Sequence, residues 1–154
     1  MKNVVCIALL CLVWTSGITQ SDKSDMFVGT WLLQKIEQKN ESGDWLLSEL
    51  LGPDPLGILT YDAHGNMAAQ LARRDRSISD PEGAPSELIN GYVGYFGRYE
   101  VDSTAGTVTH HRSTHVNAEL GHLSVVRYFQ FEGDTVTLTV APERNIRLLW
   151  KRDD

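Results

Sequence analysis

The chain has 154 residues, of which 42% are hydrophobic and 22% charged, and its 14 basic and 20 acidic side chains leave a formal charge of −6. That is the size and make-up of one globular domain, and it excludes disordered, collagen-like, coiled-coil and low-complexity classes, since nothing repeats. A net-acidic domain with scattered Lys and Arg is also a poor match for nucleic acid or for an anionic membrane surface.

The first 20 residues read MKNVVCIALLCLVWTSGITQ: Lys2, then a charge-free stretch from Val4 to Trp14, then small Thr15, Ser16 and Gly17. This is the pattern of a cleavable secretory signal peptide, with cleavage expected after Gly17. The apolar run falls short of the roughly 20 residues that span a bilayer. The expected product is an exported protein, periplasmic or secreted, with no integral membrane segment after cleavage. An uncleaved anchor or a buried helix is the alternative. Cys6 and Cys11 both lie in this leader. They follow Val5 and Leu10 rather than the small residue that precedes a lipidated bacterial cysteine. The mature chain then has no disulfide and no thiol nucleophile. Losing Lys2 leaves 13 basic against 20 acidic side chains, a charge of −7. Such a domain must be held by its core, and about 137 residues are enough for one. A single sequon, Asn40-Glu41-Ser42, matters only in a host that glycosylates exported proteins.

After the leader, short alternating segments separated by turn residues predict an antiparallel barrel or sandwich. Eight strands are expected, at about 27–37, 57–62, 66–72, 95–102, 107–115, 123–132, 135–140 and 146–152. The clearest is Thr135-Val136-Thr137-Leu138-Thr139-Val140, with threonines on one face and aliphatics on the other. Between the first two strands, residues 40–56 contain Trp45-Leu46-Leu47 and end in Gly52-Pro53-Asp54-Pro55, which predicts a ninth short strand or a lid. Tight turns at His64-Gly65, 103–106 and Gly133-Asp134 make neighbouring strands pair antiparallel. Residues 73–85 read as an exposed, mobile loop. Ser86 is a candidate N-cap for a short helix running to about Gly91, before the fourth strand of this set. The Gly/aromatic stretch 91–97 is expected to bend tightly as it enters that strand. No linker divides residues 26–152.

Turn geometry sets register, and register sets which face each side chain takes. A two-residue turn at Gly133-Asp134 pairs Phe131 with Val136, Phe129 with Leu138 and Arg127 with Val140. The turn at 103–106 pairs Val101 with Val108 and Tyr99 with His110. The interior then carries Tyr95, Gly97, Tyr99, Val101, Val108 and His110, and by the same count Arg112. An apolar interior that holds Arg127, His110, Tyr99 and Tyr95 is informative, because a buried unpaired guanidinium is costly. Arg127 therefore needs a carboxylate, carbonyls, water or a ligand anion, unless it snorkels to water at a barrel end. His110 is as well explained by a satisfied core histidine as by a functional one.

Gly29-Thr30-Trp31 opens the first strand and Trp150-Lys151-Arg152 closes the last. With Leu51 through Tyr61 (LGPDPLGILTY), Gly65-Asn66-Met67, Tyr95 through Val101 (YFGRYEV), Val108-Thr109-His110-His111 and Arg127-Tyr128-Phe129, this order resembles the lipocalin-like domain family of bacterial and fungal proteins, over about residues 26–152. The resemblance implies an all-β, calycin-type up-and-down barrel of about eight strands with a central cavity. It also implies that Gly29 and Trp31 plug one end with a cation over the indole face, Arg152 being the candidate and Arg147 the alternative. It carries over no catalytic set.

Other chemistries find little support. His110 and His111 point to opposite faces of their strand, and His111 and His115, expected together on the outer face, lie about 13 Å apart, so no metal site is expected. There is no Gly-x-Ser-x-Gly and no phosphate-binding glycine loop, so no cofactor is expected. Two uses of one cavity remain, beside a barrel that holds no ligand and acts through its surface. The first is binding of a small, mainly hydrophobic or amphipathic molecule, its carboxylate or carbonyl read by Arg127 with His110, Tyr99, Tyr95 and Phe129. The alternative is a cofactor-independent isomerase, cyclase or hydrolase with His110, Arg127 and Tyr99 as its catalytic candidates. Loops 40–56 and 73–94 would form the cavity mouth.

Overall fold

The computed structural model describes residues 23–76 and 91–153. The leader, most of the loop after Arg73 and the helix expected from Ser86 lie outside the described residues. Nine strands follow a one-turn helix α1 (Ser24–Phe27): β1 (Gly29–Lys39), β2 (Trp45–Leu47), β3 (Leu56–Tyr61), β4 (Asn66–Ala72), β5 (Tyr92–Asp102), β6 (Thr107–His115), β7 (Ser124–Glu132), β8 (Thr135–Val140) and β9 (Ile146–Arg152). Each pairs antiparallel with its neighbours in the order β2-β1-β3-β4-β5-β6-β7-β8-β9, and β1 also pairs with β9. That last pairing closes an eight-stranded up-and-down barrel and leaves β2 as the ninth strand.

β2 has a simple reason to exist. β3 reaches only Gly29–Leu32 of β1, from Gly29↔Tyr61 to Leu32↔Ile58. The same edge of β1 would otherwise stay open at its far end, and β2 covers it through Glu37↔Leu47, Gln38↔Leu46 and Lys39↔Trp45. An uncovered edge is a template for unwanted pairing. On the outer surface of this corner Glu37 is buried between Lys35, 2.7 Å away, and Arg147, 2.6 Å away. Burial raises the Glu37 pKa, but hydrogen bonds and charge from the two cations outweigh it and the net shift is downward.

The registers expected from the two turns hold. Phe131 pairs with Val136, Phe129 with Leu138 and Arg127 with Val140, and Tyr99 pairs with His110 and Val101 with Val108. Within the Gly/aromatic stretch the turn into the strand falls at Gly91, at φ +69°, and β5 is already extended from Tyr92. The irregularity sits at Gly97, where the β5–β6 register slips between Phe96↔Thr114 and Gly97↔Arg112. A methyl group at Gly97 would collide with the His111 carbonyl and the backbone of Arg112 and Ser113. Only glycine admits that approach. The extra residue, Ser113, also reverses the facing beyond it. His115 pairs with Tyr95 and stacks on its ring, 5.8 Å between centroids, instead of sharing the outer face with His111.

The tight turns β3–β4, β5–β6 and β7–β8 lie at one barrel end, where Trp31 also sits, and the connections β2–β3, β4–β5, β6–β7 and β8–β9 join strands at the other. At the tight end Phe27 packs edge-on against Tyr61, Phe129 and Phe131 at centroid distances of 5.2, 5.1 and 5.0 Å. Trp31 is fully buried, and its indole N–H donates to the Phe27 carbonyl at 2.8 Å. Arg152 lies 4.1 Å over the Trp31 ring and donates to the Val28 carbonyl at 2.7 Å and the Met26 carbonyl at 2.6 Å. One cation thus ties α1, β1 and β9 into a plug. Burying an aromatic side chain of this kind is worth about 4–6 kcal/mol gross, at about 25 cal/mol per Å². Among the described residues no helix is long and apolar enough to cross a membrane.

Candidate functional site

Above the aromatic plug a cavity of about 170 Å³ runs toward the open end. Its wall is mostly aliphatic, including Leu59, Leu71, Leu138, Ile146 and Leu148. Leu50 and Leu51, in the connection between β2 and β3, form part of its lining at the mouth. That connection is held by Arg73, whose guanidinium donates to the Glu49 carbonyl at 3.4 Å and the Leu50 carbonyl at 3.5 Å. So residues 40–56 supply both the ninth strand and cover for the mouth.

The polar part of the wall comes from Tyr95, His110, Arg127 and Trp150. Arg127 points inward from β7 because its neighbour Val140 belongs to the inward face of β8. Its Nη1 is buried with no hydrogen-bond partner among the described residues. Trp150, almost fully buried, likewise has an unpartnered Nε1. A buried indole N–H normally finds an acceptor, and an unmet buried donor costs about 1–3 kcal/mol. Both unmet groups on the cavity wall are therefore donors.

His110, 1% exposed, is held from two sides. The Tyr61 hydroxyl lies 2.7 Å from its Nε2 and the Tyr95 hydroxyl 3.1 Å from its Nδ1. Burial first, then the positive charges of Arg127, Arg112 and His111, hold its pKa well below the usual histidine value. The ring is neutral at physiological pH, with one N–H and one lone pair. Burial also pushes the Tyr61 phenol well above its ordinary pKa. Tyr95 is in turn clamped near the mouth: Arg112 sits 5.4 Å from its ring centroid and His115 stacks on it. The Arg112 Nε is a further buried donor without a partner. Burial lowers the Arg112 pKa most, and the nearby charge of Arg127 adds to the shift.

Three of the five expected ligand-contacting residues, Arg127, His110 and Tyr95, share this wall, whereas Tyr99 and Phe129 do not. Tyr99 pairs with His110 in register, yet its hydroxyl donates to the Asp62 carbonyl at 2.9 Å in the β3–β4 turn, at the closed end. Phe129 packs on Phe27 and Phe131 in the plug. Both face inward as expected, but at the wrong height. Sequence reasoning missed Tyr61 and Trp150. The aliphatic alternation of β3, Leu59 and Tyr61 on one face, carried the signal for Tyr61, but its meeting with His110 crosses the barrel and no neighbouring register contains it. Outside the cavity His111 accompanies Ser124 at 2.9 Å and Glu100 at 3.4 Å. No cluster of three or more metal-ligating side chains occurs among the described residues.

A closed up-and-down barrel with its Gly-x-Trp plug and capping arginine at one end and a lined cavity above is the geometry the resemblance implies. A profile of the lipocalin-like domain matches residues 28–153, the whole barrel from β1 to β9. The chain belongs to the lipocalin-like domain family. Among functionally curated proteins no significant match exists. A lipocalin-like barrel suggests small-molecule binding in general, and here the wall itself narrows the chemistry.

Proposed function

We propose that this lipocalin-like protein is exported and binds a small, mainly hydrophobic molecule carrying a carboxylate or carbonyl group in its barrel cavity. The observation that carries this reading is the buried, unpartnered Arg127 Nη1 on a wall of aliphatic side chains. Trp150 Nε1, a second unmet donor, points to the same acceptor chemistry. The cavity, about 170 Å³, is smaller than the roughly 300 Å³ typical of drug-sized ligands. It is close to the roughly 150 Å³ engineered cavity that takes benzene. A monocyclic or short branched acid fits both its size and its polarity. Export is supported by Lys2, the apolar stretch 4–14 and the small residues 15–17. Recovery from an exporting host with residues 1–17 still attached would refute that part.

The enzymatic alternative needs His110 as a base on the ligand. Both of its ring nitrogens are already engaged by phenols, so binding is the better-supported reading. Isothermal titration with benzoate tests it. Binding at 1:1 is expected, weakened at least tenfold in Arg127→Met, as for loss of a charge-assisted hydrogen bond. No benzoate binding, or binding indifferent to Arg127→Met, would overturn it.

A further inference from the structure

Tyr95 is a polar group on the cavity wall whose role depends on its neighbour, since a phenol either donates or accepts. Its hydroxyl shares the neutral His110 ring with the Tyr61 hydroxyl, 2.7 Å from Nε2 on one side and 3.1 Å from Nδ1 on the other. The ring has a single proton to place, and the two placements differ in what they leave unmet.

Suppose the proton sits on Nε2. It then donates to the Tyr61 oxygen, and the Tyr61 O–H needs another acceptor. Tyr61 is 2% exposed and has no other hydrogen-bond partner among the described residues. A buried donor would be orphaned, which is the expensive outcome. Suppose instead the proton sits on Nδ1. Tyr61 then donates into the Nε2 lone pair, which suits the shorter distance, because O–H donors make the closer bonds. Nδ1–H donates to the Tyr95 oxygen. The Tyr95 O–H is released, and Tyr95, unlike Tyr61, lines the cavity where a ligand or water can accept it.

We infer that Tyr61, which does not touch the cavity, is a positioning residue that holds His110 in its Nδ1–H form and so makes Tyr95 a hydrogen-bond donor to the ligand. This deepens the proposed binding function and names its selectivity. With Arg127 Nη1 and Trp150 Nε1 also unmet donors, the wall presents hydrogens only. It selects molecules whose polar atoms are acceptors, carboxylates and carbonyls, over those that must donate, such as amines. Arg112 and His115 hold the Tyr95 ring in place from its faces.

The test reads the tautomer directly and needs no ligand. Long-range ¹H–¹⁵N correlation spectra of the ¹⁵N-histidine-labelled protein distinguish Nδ1–H from Nε2–H, with His110 assigned by its contacts to the two tyrosine rings. The wild type is expected in the Nδ1–H form with a hydrogen-bonded Nε2 lone pair, and Tyr61→Phe, which removes one oxygen and keeps the ring, is expected to leave that lone pair bare and so to move the Nε2 resonance downfield. A Tyr61 that does not donate to Nε2 would leave that resonance unmoved. In the binding arm, Tyr95→Phe is expected to weaken benzoate about tenfold, the size of one hydrogen bond to a charged group, and to leave toluene unaffected. An Nε2–H wild type, an Nε2 resonance unmoved in Tyr61→Phe, or benzoate affinity unchanged in Tyr95→Phe would each overturn the inference. Should benzoate fail to bind the wild type, the binding reading falls separately and the tautomer decides the role of Tyr61.

Discussion

Replacing Arg127 with Met should stabilise the empty protein and cripple the loaded one. In the empty barrel the Arg127 Nη1 is buried without a partner. An unmet buried donor costs about 1–3 kcal/mol, and because Arg127 is only partly buried the lower end applies. Met keeps most of the apolar stem and removes the charge. The expected gain is about 1 kcal/mol, or about 2–4 °C in Tm for a domain of this size. With ligand the sign reverses. A charge-assisted bond worth about 1.5–3 kcal/mol corresponds to an affinity loss of about 10- to 150-fold. Benzoate at 100 times the wild-type Kd should stabilise the wild type by about 2.7 kcal/mol and the variant by about 1.4 kcal/mol or less. Thermal unfolding of both proteins, with and without benzoate, should therefore show their order of stability inverting. A variant more than about 1 kcal/mol less stable than wild type without benzoate would mean that Arg127 is already satisfied, and the reasoning would fail.

Other expectations concern pH and the barrel ends. His110 resists protonation in the folded state, whereas its unfolded form takes a proton near 6.5, so its contribution is present above that pH and lost as pH falls, by up to about 1.4 kcal/mol per unit. Denaturation midpoints should drop between pH 7 and 5.5; a flat profile would sink this. Glu37, shifted the other way, loses its contribution only as pH falls below 4.5, so the two groups separate along the titration. Arg152→Ala removes two hydrogen bonds to carbonyls and the contact with Trp31, for an expected loss of about 2–3 kcal/mol by urea titration; a change under 0.5 kcal/mol would show the plug holds without it. Gly97→Ala forces a methyl into the His111 carbonyl and should cost more than about 3 kcal/mol or prevent folding, whereas Gly106→Ala, with open space around it but φ +67°, should cost only about 1 kcal/mol. Equal effects at the two glycines would contradict the close approach at Gly97.

Much of the barrel is legible in the chain because it rests on local rules. The alternation Thr135 to Val140 admits one buried face, and the turn residues at Gly65, 103–106 and Gly133-Asp134 leave one register each. From those two facts follow the pairs Arg127↔Val140 and Tyr99↔His110, and with them an arginine and a histidine inside. The chain also places the turns at His64-Gly65, 103–106 and Gly133-Asp134 at one end, which leaves the longer connections to the other and already marks where a cavity can open.

What only the tertiary structure decided is height and the far side. Facing repeats every two residues and is read along one strand, but the level of a side chain in the barrel depends on strand tilt and stagger summed around the ring. Tyr99 and Phe129 face inward yet belong to the plug, while Tyr95 rises to the cavity. A single bulge opposite Gly97 turns His115 from outside to inside, and a one-residue slip of that kind leaves little trace in composition. Tyr61 meets His110 across the barrel rather than along an edge. That contact, which settles where the His110 proton rests, exists only once β1 and β9 close the ring.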